Sequence, residues 1–189
     1  MLGAIKEFKN NHAGEPPSKL IIYRDGVGEQ QREQIIEKEI TQFKLALKPL
    51  YNQVSGPPPI TLVVVNKRIN QRMFTYGRGG QVENPQPGSI IDANLVENAK
   101  GNECFDFFLV PQQTTQGCVT PVHFFVSLNE SKDISKAALE NLTYGFCYIY
   151  SNWSGSIKVP APCQYAHKIA EYHHSFDRGS LKHQKIDMT

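Results

Sequence analysis

The stretch that decides the fold is "KLIIYRDGVGEQQ", residues 19–31. An apolar run over residues 20–23 ends abruptly in Arg24, Asp25 and Gly26. Uninterrupted apolar strands are typical of sheets that are covered on both faces. In open α/β sheets, functional groups collect beyond the carboxyl ends of the strands. The stretch therefore predicts a buried strand that presents one carboxylate, Asp25, at the point where the chain turns.

The segments around this strand predict a mixed α/β sheet flanked by helices. Residues 29–50 have apolar side chains at helical spacing, and "ITLVVVN" at 60–66 is a second buried strand. A strand, a helix and another buried strand in that order favour a βαβ crossover and a parallel pair. The other predicted elements are helices over 3–11, over 134–151 with Ser131 or Asp133 as N-cap, and from "VPAPCQYAHKIAEYHH", with strands over 105–110 and 123–128.

Two segments predict little regular structure. Residues 71–92 are rich in glycine and proline and predict a long hairpin or loop. The end of the chain, "DRGSLKHQKIDMT", is polar and is predicted to be frayed.

Composition excludes several functional classes for this chain of 189 residues. The net charge is +2, from 20 basic and 18 acidic residues, so nucleic-acid binding depends on local clusters. No G-x-G-x-x-G or P-loop supports a nucleoside triphosphate site. Four widely spaced cysteines without a C-x-x-C pair favour free thiols over zinc. The first residues lack a secretory signal and "ITLVVV" is too short for a membrane span, which predicts a cytoplasmic or nuclear protein that does not enter membranes.

Local patterns leave alternatives open at three places. Asp25 either serves a functional site or merely caps a helix near residue 29 and shapes a turn. His167, at helical spacing from its neighbours, is either a ligand or an ordinary hydrogen-bonded helix residue. Residues 66–80, "NKRINQRMFTYGRGG", have four cations and no acid, which suits either phosphate binding or a solvated hairpin face.

A family resemblance joins these features. The blocks "KLIIYRDGVGEQQ", "VVVNKRINQRMF", "PGSIIDANL", "FDFFLVPQQTTQGCVTPVHFFV" and "LTYGFCYIYSNWSGSIKVPAPCQYAHKIAEY" occur in the order and spacing of the C-terminal half of a PIWI domain. The chain therefore resembles the Argonaute family, and the block "NWSGSIKVPAPCQYAHK" favours its Piwi branch. The resemblance implies a partial RNase H-like fold in which residues 1–175 form that half-domain and residues 176–189 form a polar tail.

The resemblance also implies a catalytic tetrad of two Asp, one Glu and one His. Asp25 matches the second Asp and His167 matches the histidine, so both are expected to be catalytic and to bind Mg²⁺ or Mn²⁺. The first Asp and the Glu lie upstream in the family, before this chain begins. The isolated chain is therefore expected to be inactive.

Guide-binding residues follow from the same resemblance. It places Lys67 and Arg68 beside the guide backbone, and the loop "QQTTQGCVTP" and residues 150–164 near the guide strand. The further candidates there are Gln112, Tyr150, Lys158 and Gln164. The expected partners are a small guide RNA, a complementary target RNA and the rest of an Argonaute chain, namely its MID and PAZ domains and the N-terminal half of PIWI.

The implied function is guide-directed cleavage of RNA by metal-dependent phosphodiester hydrolysis. Base pairing with the guide would choose the target, while the protein would bind backbone and duplex shape. One alternative is a guide-binding silencing protein that does not cleave and acts by recruiting partners. Another is that residues 1–189 are a complete product with a scaffold role.

Overall fold

The computed structural model describes residues 2–28, 36–51, 56–93 and 104–186, with residues 176–186 described as backbone only. The strands are β1 Leu20–Asp25, β2 Ile60–Asn66, β3 Thr75–Tyr76, β4 Val82–Glu83, β5 Ile90–Ala93, β6 Phe105–Leu109 and β7 Val122–Asn129. The helices are α1 Leu2–Asn11, α2 Thr41–Leu47, α3 Lys136–Phe146 and α4 Ala161–Ile186. A π-helical turn, Ile36–Ile40, precedes α2, and a 3₁₀ turn, Lys48–Leu50, follows it.

Five strands form one mixed sheet in the order β1-β2-β7-β6-β5. β1 runs parallel to β2, in a register that extends from Leu20 opposite Ile60 to Asp25 opposite Val65. The other pairs in this sheet are antiparallel, and β3 and β4 form a separate small hairpin. The predicted mixed sheet and the predicted parallel pair are confirmed.

Apolar side chains cover both faces of the sheet, as the uninterrupted strand sequences predict. On one face, Phe107 and Phe124 stack with their ring centroids 5.1 Å apart, beneath Leu139 of α3 and Cys163 of α4. On the other face, β2 packs against the turn and helix formed by residues 36–47. The two cores fix the directions of all side chains along β1, β2, β6 and β7 because successive residues of a strand alternate between faces.

Three predictions need correction. The hairpin of β3 and β4 lies inside 71–92, where a long hairpin or loop is predicted, but the strand β5 also begins in this segment, since its short apolar run gains hydrogen bonds from β6. The N-cap of α3 is Ser135, whose hydroxyl accepts a hydrogen bond from the Ala138 backbone N–H, and α3 ends at Phe146. α4 continues through residues 177–186, which the sequence predicts to be frayed; half of them are strong helix formers and no proline interrupts them.

The predicted helix 29–50 is seen in part, because residues 29–35 lie outside the described chain. Residues 36–50 are helical throughout, although the winding changes from π to α to 3₁₀. Among the described residues, no helix is long and apolar enough to cross a membrane.

Candidate catalytic groove and nucleic-acid interface

Asp25 is the last residue of β1 and points to the face of the sheet that α3 and α4 cover. Tyr23, two residues earlier, lies against that core, and its hydroxyl is 2.9 Å from the Thr143 hydroxyl of α3. Because side chains alternate along a strand, Asp25 points the same way. Gly26 follows with φ = +78°, a conformation that favours glycine, and turns the chain away from the sheet.

His167 reaches Asp25 from α4. The helix starts beside Pro160 and Pro162, and its first turn buries Cys163 in the core beneath. One turn later, His167 lies on the same side of the helix, because residues four apart are neighbours on a helix surface. Its Nε2 atom is 3.2 Å from Oδ2 of Asp25. The structure thus brings together the two predicted catalytic residues, which are 142 positions apart in the chain (167 − 25).

Lys67 is the third member of this cluster. It follows β2, the parallel neighbour of β1, and its Nζ atom donates a hydrogen bond of 2.7 Å to the same Asp25 oxygen. The Asp25 side chain is only 9% exposed, whereas those of Lys67 and His167 are 37% and 42% exposed. A nearly buried carboxylate is stable only with partners, and these two supply them. Asp25 is therefore more than a turn residue in this fold.

The cluster lines a groove of about 800 Å³ at the carboxyl ends of β1 and β2. Further polar side chains line it, namely Asn66 at the end of β2 and Arg68 and Gln71 from the segment after it. Arg68 is exposed, whereas Arg72 folds back to hydrogen-bond with the carbonyl groups of the three residues before it. Arg68 thus extends into the groove as a cation, while Arg72 shapes the segment.

Sequence reasoning missed a second acid and histidine in the same groove. Asp106 of β6 and His123 of β7 pair through Oδ2 and Nε2 at 2.9 Å, and His123 stacks on Phe108. They point away from the face of Asp25, because their neighbours Phe107 and Phe124 lie in the core beneath α3 and α4. The other oxygen of Asp106, Oδ1, is buried and has no hydrogen-bond partner among the described residues. A single acid inside the apolar run "FDFFLV" is the signal that marks it in the sequence.

Cys163 lies close to the cluster but does not act as a nucleophile at neutral pH. Burial raises the pKa of its thiol to about 12, and the nearby negative charge of Asp25 raises it further than Lys67 lowers it. The thiol therefore stays protonated. Its contribution is to hold α4 against the sheet.

Two of the predicted guide contacts meet in a second, smaller depression of about 180 Å³. Gln112 comes from the loop after β6, and Lys158 comes from the segment that leads into α4. Between them lie Thr114, Cys118 and Thr120. Donor groups and a cation on a concave surface suit a phosphate or sugar contact.

The remaining two candidates lie elsewhere. Tyr150 is 7% exposed and packs on the ring of Tyr165, with centroids 5.1 Å apart, while the Asn152 amide donates to its hydroxyl at 3.3 Å. Gln164 is half-buried in the first turn of α4. Neither lines the groove or the depression defined above. Tyr150 therefore supports the segment before α4 more than it offers a contact surface.

The cluster contains donor groups of a type that binds metal ions, but too few of them to hold an ion. The carboxylate of Asp25 and the imidazole of His167 are both groups that bind Mn²⁺, and carboxylates also suit Mg²⁺. Within residues 2–28, 36–51, 56–93 and 104–186, no three His, Cys, Asp or Glu side chains are grouped so as to hold an ion. Asp25 and His167 alone are therefore too few to hold an ion.

The family follows from comparison with known proteins. The family model of the Piwi domain matches residues 1–178. The chain is 42% identical over 154 residues to Piwi-like protein 1 of Gallus gallus, a match that covers 82% of this chain and 17% of the relative. It is also 42% identical over 157 residues to Piwi-like protein Ago3 of Bombyx mori, covering 83% of this chain and 16% of the relative. The chain belongs to the Piwi domain family and spans about a sixth of the length of these relatives.

Solved structures agree with this assignment. The crystal structure of Drosophila Piwi matches with a TM-score of 0.74 and 36% identity, covering 89% of this chain and 22% of that one. Kluyveromyces polysporus Argonaute with a guide RNA matches with a TM-score of 0.73 and 27% identity, covering 88% and 21%. The predicted RNase H-like fold is therefore confirmed.

Proposed function

We propose that this chain is the C-terminal half of the PIWI domain of a protein that binds a small guide RNA and cleaves complementary RNA. The observation that supports cleavage is the cluster of Asp25, His167 and Lys67 around one carboxylate oxygen at the end of the sheet. Three chain segments that are distant in sequence converge there. One matched structure, of 27% identity, is an Argonaute with a guide RNA.

Asp25 and His167 would be ligands of a Mg²⁺ or Mn²⁺ ion, together with groups from outside the described residues. Such an ion activates water and stabilises the charge that develops on a scissile phosphate. Asp25 suits this role because it is nearly buried and is held from two sides, so its position is fixed before substrate arrives. Lys67 provides a positive charge at the same oxygen, which stabilises the carboxylate when no ion is bound.

Guide binding would use the cations that line the groove and the depression. Arg68 and Lys67 follow β2 and line the groove, and Lys158 and Gln112 both line the depression. Contacts of this kind neutralise phosphates without reading bases. Specificity would then come from base pairing between guide and target. The protein would act in the cytoplasm or nucleus, where its RNA partners are found.

The test uses the full-length parent protein, loaded with a guide of defined sequence. Cleavage of a complementary RNA in Mg²⁺, but not in EDTA, supports the proposal, and Asp25→Ala should abolish it while the guide is retained. A parent that retains guide yet never cleaves would instead be a silencing protein that acts through recruited partners. A parent that retains no guide would refute both forms.

A further inference from the structure

We infer that Asn84 is a positioning residue that sets the shape of the guide-binding depression without contacting the guide itself. This inference rests on the proposed guide-binding role of Gln112 and Lys158. Asn84 lies just after β4, in the segment that leads from the hairpin to β5. No sequence pattern singles it out.

The Asn84 amide holds the loop after β6 at two points. Its Nδ2 atom donates to the Gly117 carbonyl at 2.8 Å, and its Oδ1 atom accepts from the Val119 backbone N–H at 2.9 Å. These two hydrogen bonds enclose Cys118, which lines the depression. One amide thus satisfies a donor and an acceptor that the loop would otherwise leave to solvent, since residues 111–121 belong to no helix or strand.

Hydrogen bonds to the end of β6 also hold the segment that bears Asn84 in place. The Gly88 backbone N–H donates to the Val110 carbonyl at 2.7 Å, and the Val110 backbone N–H donates to the Ser89 carbonyl at 2.9 Å. Val110 and Val119 are buried together in a small apolar cluster with Met73. The brace formed by residues 84–89 therefore connects the loop to the end of β6.

The path of this loop determines where the residues that line the depression lie. Gln112 is exposed on this loop, and it lines the depression together with Lys158 only as long as the loop keeps its path. Gly117, with φ = +76°, lets the chain turn at the point where Asn84 holds it. Loss of the Asn84 amide would leave the charge of Lys158 intact but would let the distances between the side chains of the depression vary. This predicts weaker guide binding through the same set of phosphate-binding side chains.

The experiment compares full-length parent proteins that carry Asn84→Leu, which keeps most of the volume but has no hydrogen-bonding group, or Asn84→Asp. Asn141→Ala, at an exposed position on α3, is the matched control, and Lys158→Ala is the comparator in which a charge is removed. The measurements are guide affinity over a series of salt concentrations, hydrogen exchange at Val119, and the melting temperature. Asn84→Asp keeps the acceptor for Val119 and serves as the second variant for the exchange measurement.

We expect Asn84→Leu to weaken guide binding about tenfold with the salt slope of the wild type, and to accelerate exchange at Val119. Lys158→Ala should instead reduce the slope, and Asn84→Asp should keep Val119 protected. Guide affinity within twofold of the wild type for Asn84→Leu would overturn the inference, as would unchanged exchange at Val119 or a reduced salt slope. If the wild-type parent binds no guide, the proposed function fails first, and the inference fails with it.

Discussion

The groove and the depression take their residues from different parts of the fold. The groove takes Asp25 from the end of a strand and His167 from a helix, and both elements are packed on one core. The depression takes Gln112 from a loop that hydrogen bonds and a small apolar cluster hold in place, and Lys158 from an irregular segment whose next residue, Val159, lies in the main core. Side chains that do chemistry must be placed within a fraction of an ångström, whereas phosphate contacts tolerate more variation. We therefore expect substitutions in the two regions to separate cleavage from binding.

The largest effect is expected from Asp25→Asn in the full-length parent. The substitution keeps the shape of the side chain but removes the charge that Lys67 and a metal ion would both use. Single-turnover cleavage should fall by at least about 10³-fold, because charge stabilisation at the reacting phosphate is lost. Asp133→Asn is the control, since Asp133 is an exposed acid that pairs with Lys19. Cleavage within threefold of the wild type in Asp25→Asn would reject the catalytic assignment.

His167→Ala should have a milder effect. An imidazole contributes less than a carboxylate to binding a hard cation, so we expect cleavage to fall about 10- to 100-fold. Raising the Mn²⁺ concentration should restore part of the activity if the loss lies in metal affinity. A loss that no Mn²⁺ concentration restores, accompanied by a lower melting temperature, would mean that His167 is an ordinary helix residue.

The segment after β2 lines the groove, and the roles of its cations can be separated by the salt dependence of guide binding. Removing one cation that neutralises a phosphate of a single-stranded guide should lower the salt slope by about 0.7. Arg68→Ala should lower the slope alone, whereas Lys67→Ala should also impair cleavage, because Lys67 pairs with Asp25. Lys132→Ala, at an exposed position before α3, is the matched control. A double variant with the wild-type slope would exclude both residues as ligands of the guide backbone.

The smallest effect concerns the thiols, which report on occupancy of the depression. Cys118 is exposed there, whereas burial raises the pKa of Cys147 and Cys163 to about 12. Burial also raises the pKa of the half-buried Cys104 thiol, so alkylation at pH 8 should be fastest at the exposed Cys118. A bound guide should slow its alkylation several-fold, as mass spectrometry would measure. Equal rates with and without guide would place the guide elsewhere.

The same raised pKa values predict alkaline sensitivity. Because both buried thiols are held protonated in the folded state, the stability that they contribute is complete below the unfolded pKa near 9. It is lost as the pH rises from about 9 towards 12, where unfolded thiols ionise and folded ones do not. Denaturant unfolding at pH 8 and pH 10.5 would measure this difference, and Cys147→Ala should reduce it. Equal stability at the two pH values would contradict the assignment.

The sequence predicts the core of this fold because its strands are strongly apolar. "LIIY" and "ITLVVV" permit little besides buried strands, and the helical residues between them favour a parallel pair. β5 is harder to predict, since four residues after a glycine-rich segment become a strand only when β6 offers hydrogen bonds. Likewise, the sequence predicts Ser131 or Asp133 as the N-cap of α3, whereas the helix begins later, at Lys136, and Ser135 caps it. Asp133 is used by Lys19, and Ser131 is buried, which leaves Ser135.

The residues of the candidate site also differ in how well the sequence predicts them. Asp25 is visible in the sequence because a charged residue ends an apolar run, and family resemblance identifies His167. The pairing of Asp106 with His123 depends on the register between β6 and β7, and the two hydrogen bonds of Asn84 depend on a loop path. The acid inside "FDFFLV" marks Asp106 in the sequence, but no local pattern shows its pairing with His123 or the contacts of Asn84. Tyr150 is a case in which resemblance points to a contact, whereas the fold buries the side chain.

The most direct test measures two quantities on the same guide-loaded preparations of the parent protein, with Asp25→Asn and Lys158→Ala compared to the wild type. The quantities are the single-turnover cleavage rate of the loaded fraction and the rate at which the guide dissociates. We predict that Asp25→Asn loses cleavage and keeps its guide. Lys158→Ala should instead release its guide faster, and its loaded fraction should cleave at nearly the wild-type rate. Loss of both quantities together in each variant, or wild-type cleavage by Asp25→Asn, would contradict the division between a cutting groove and a binding depression.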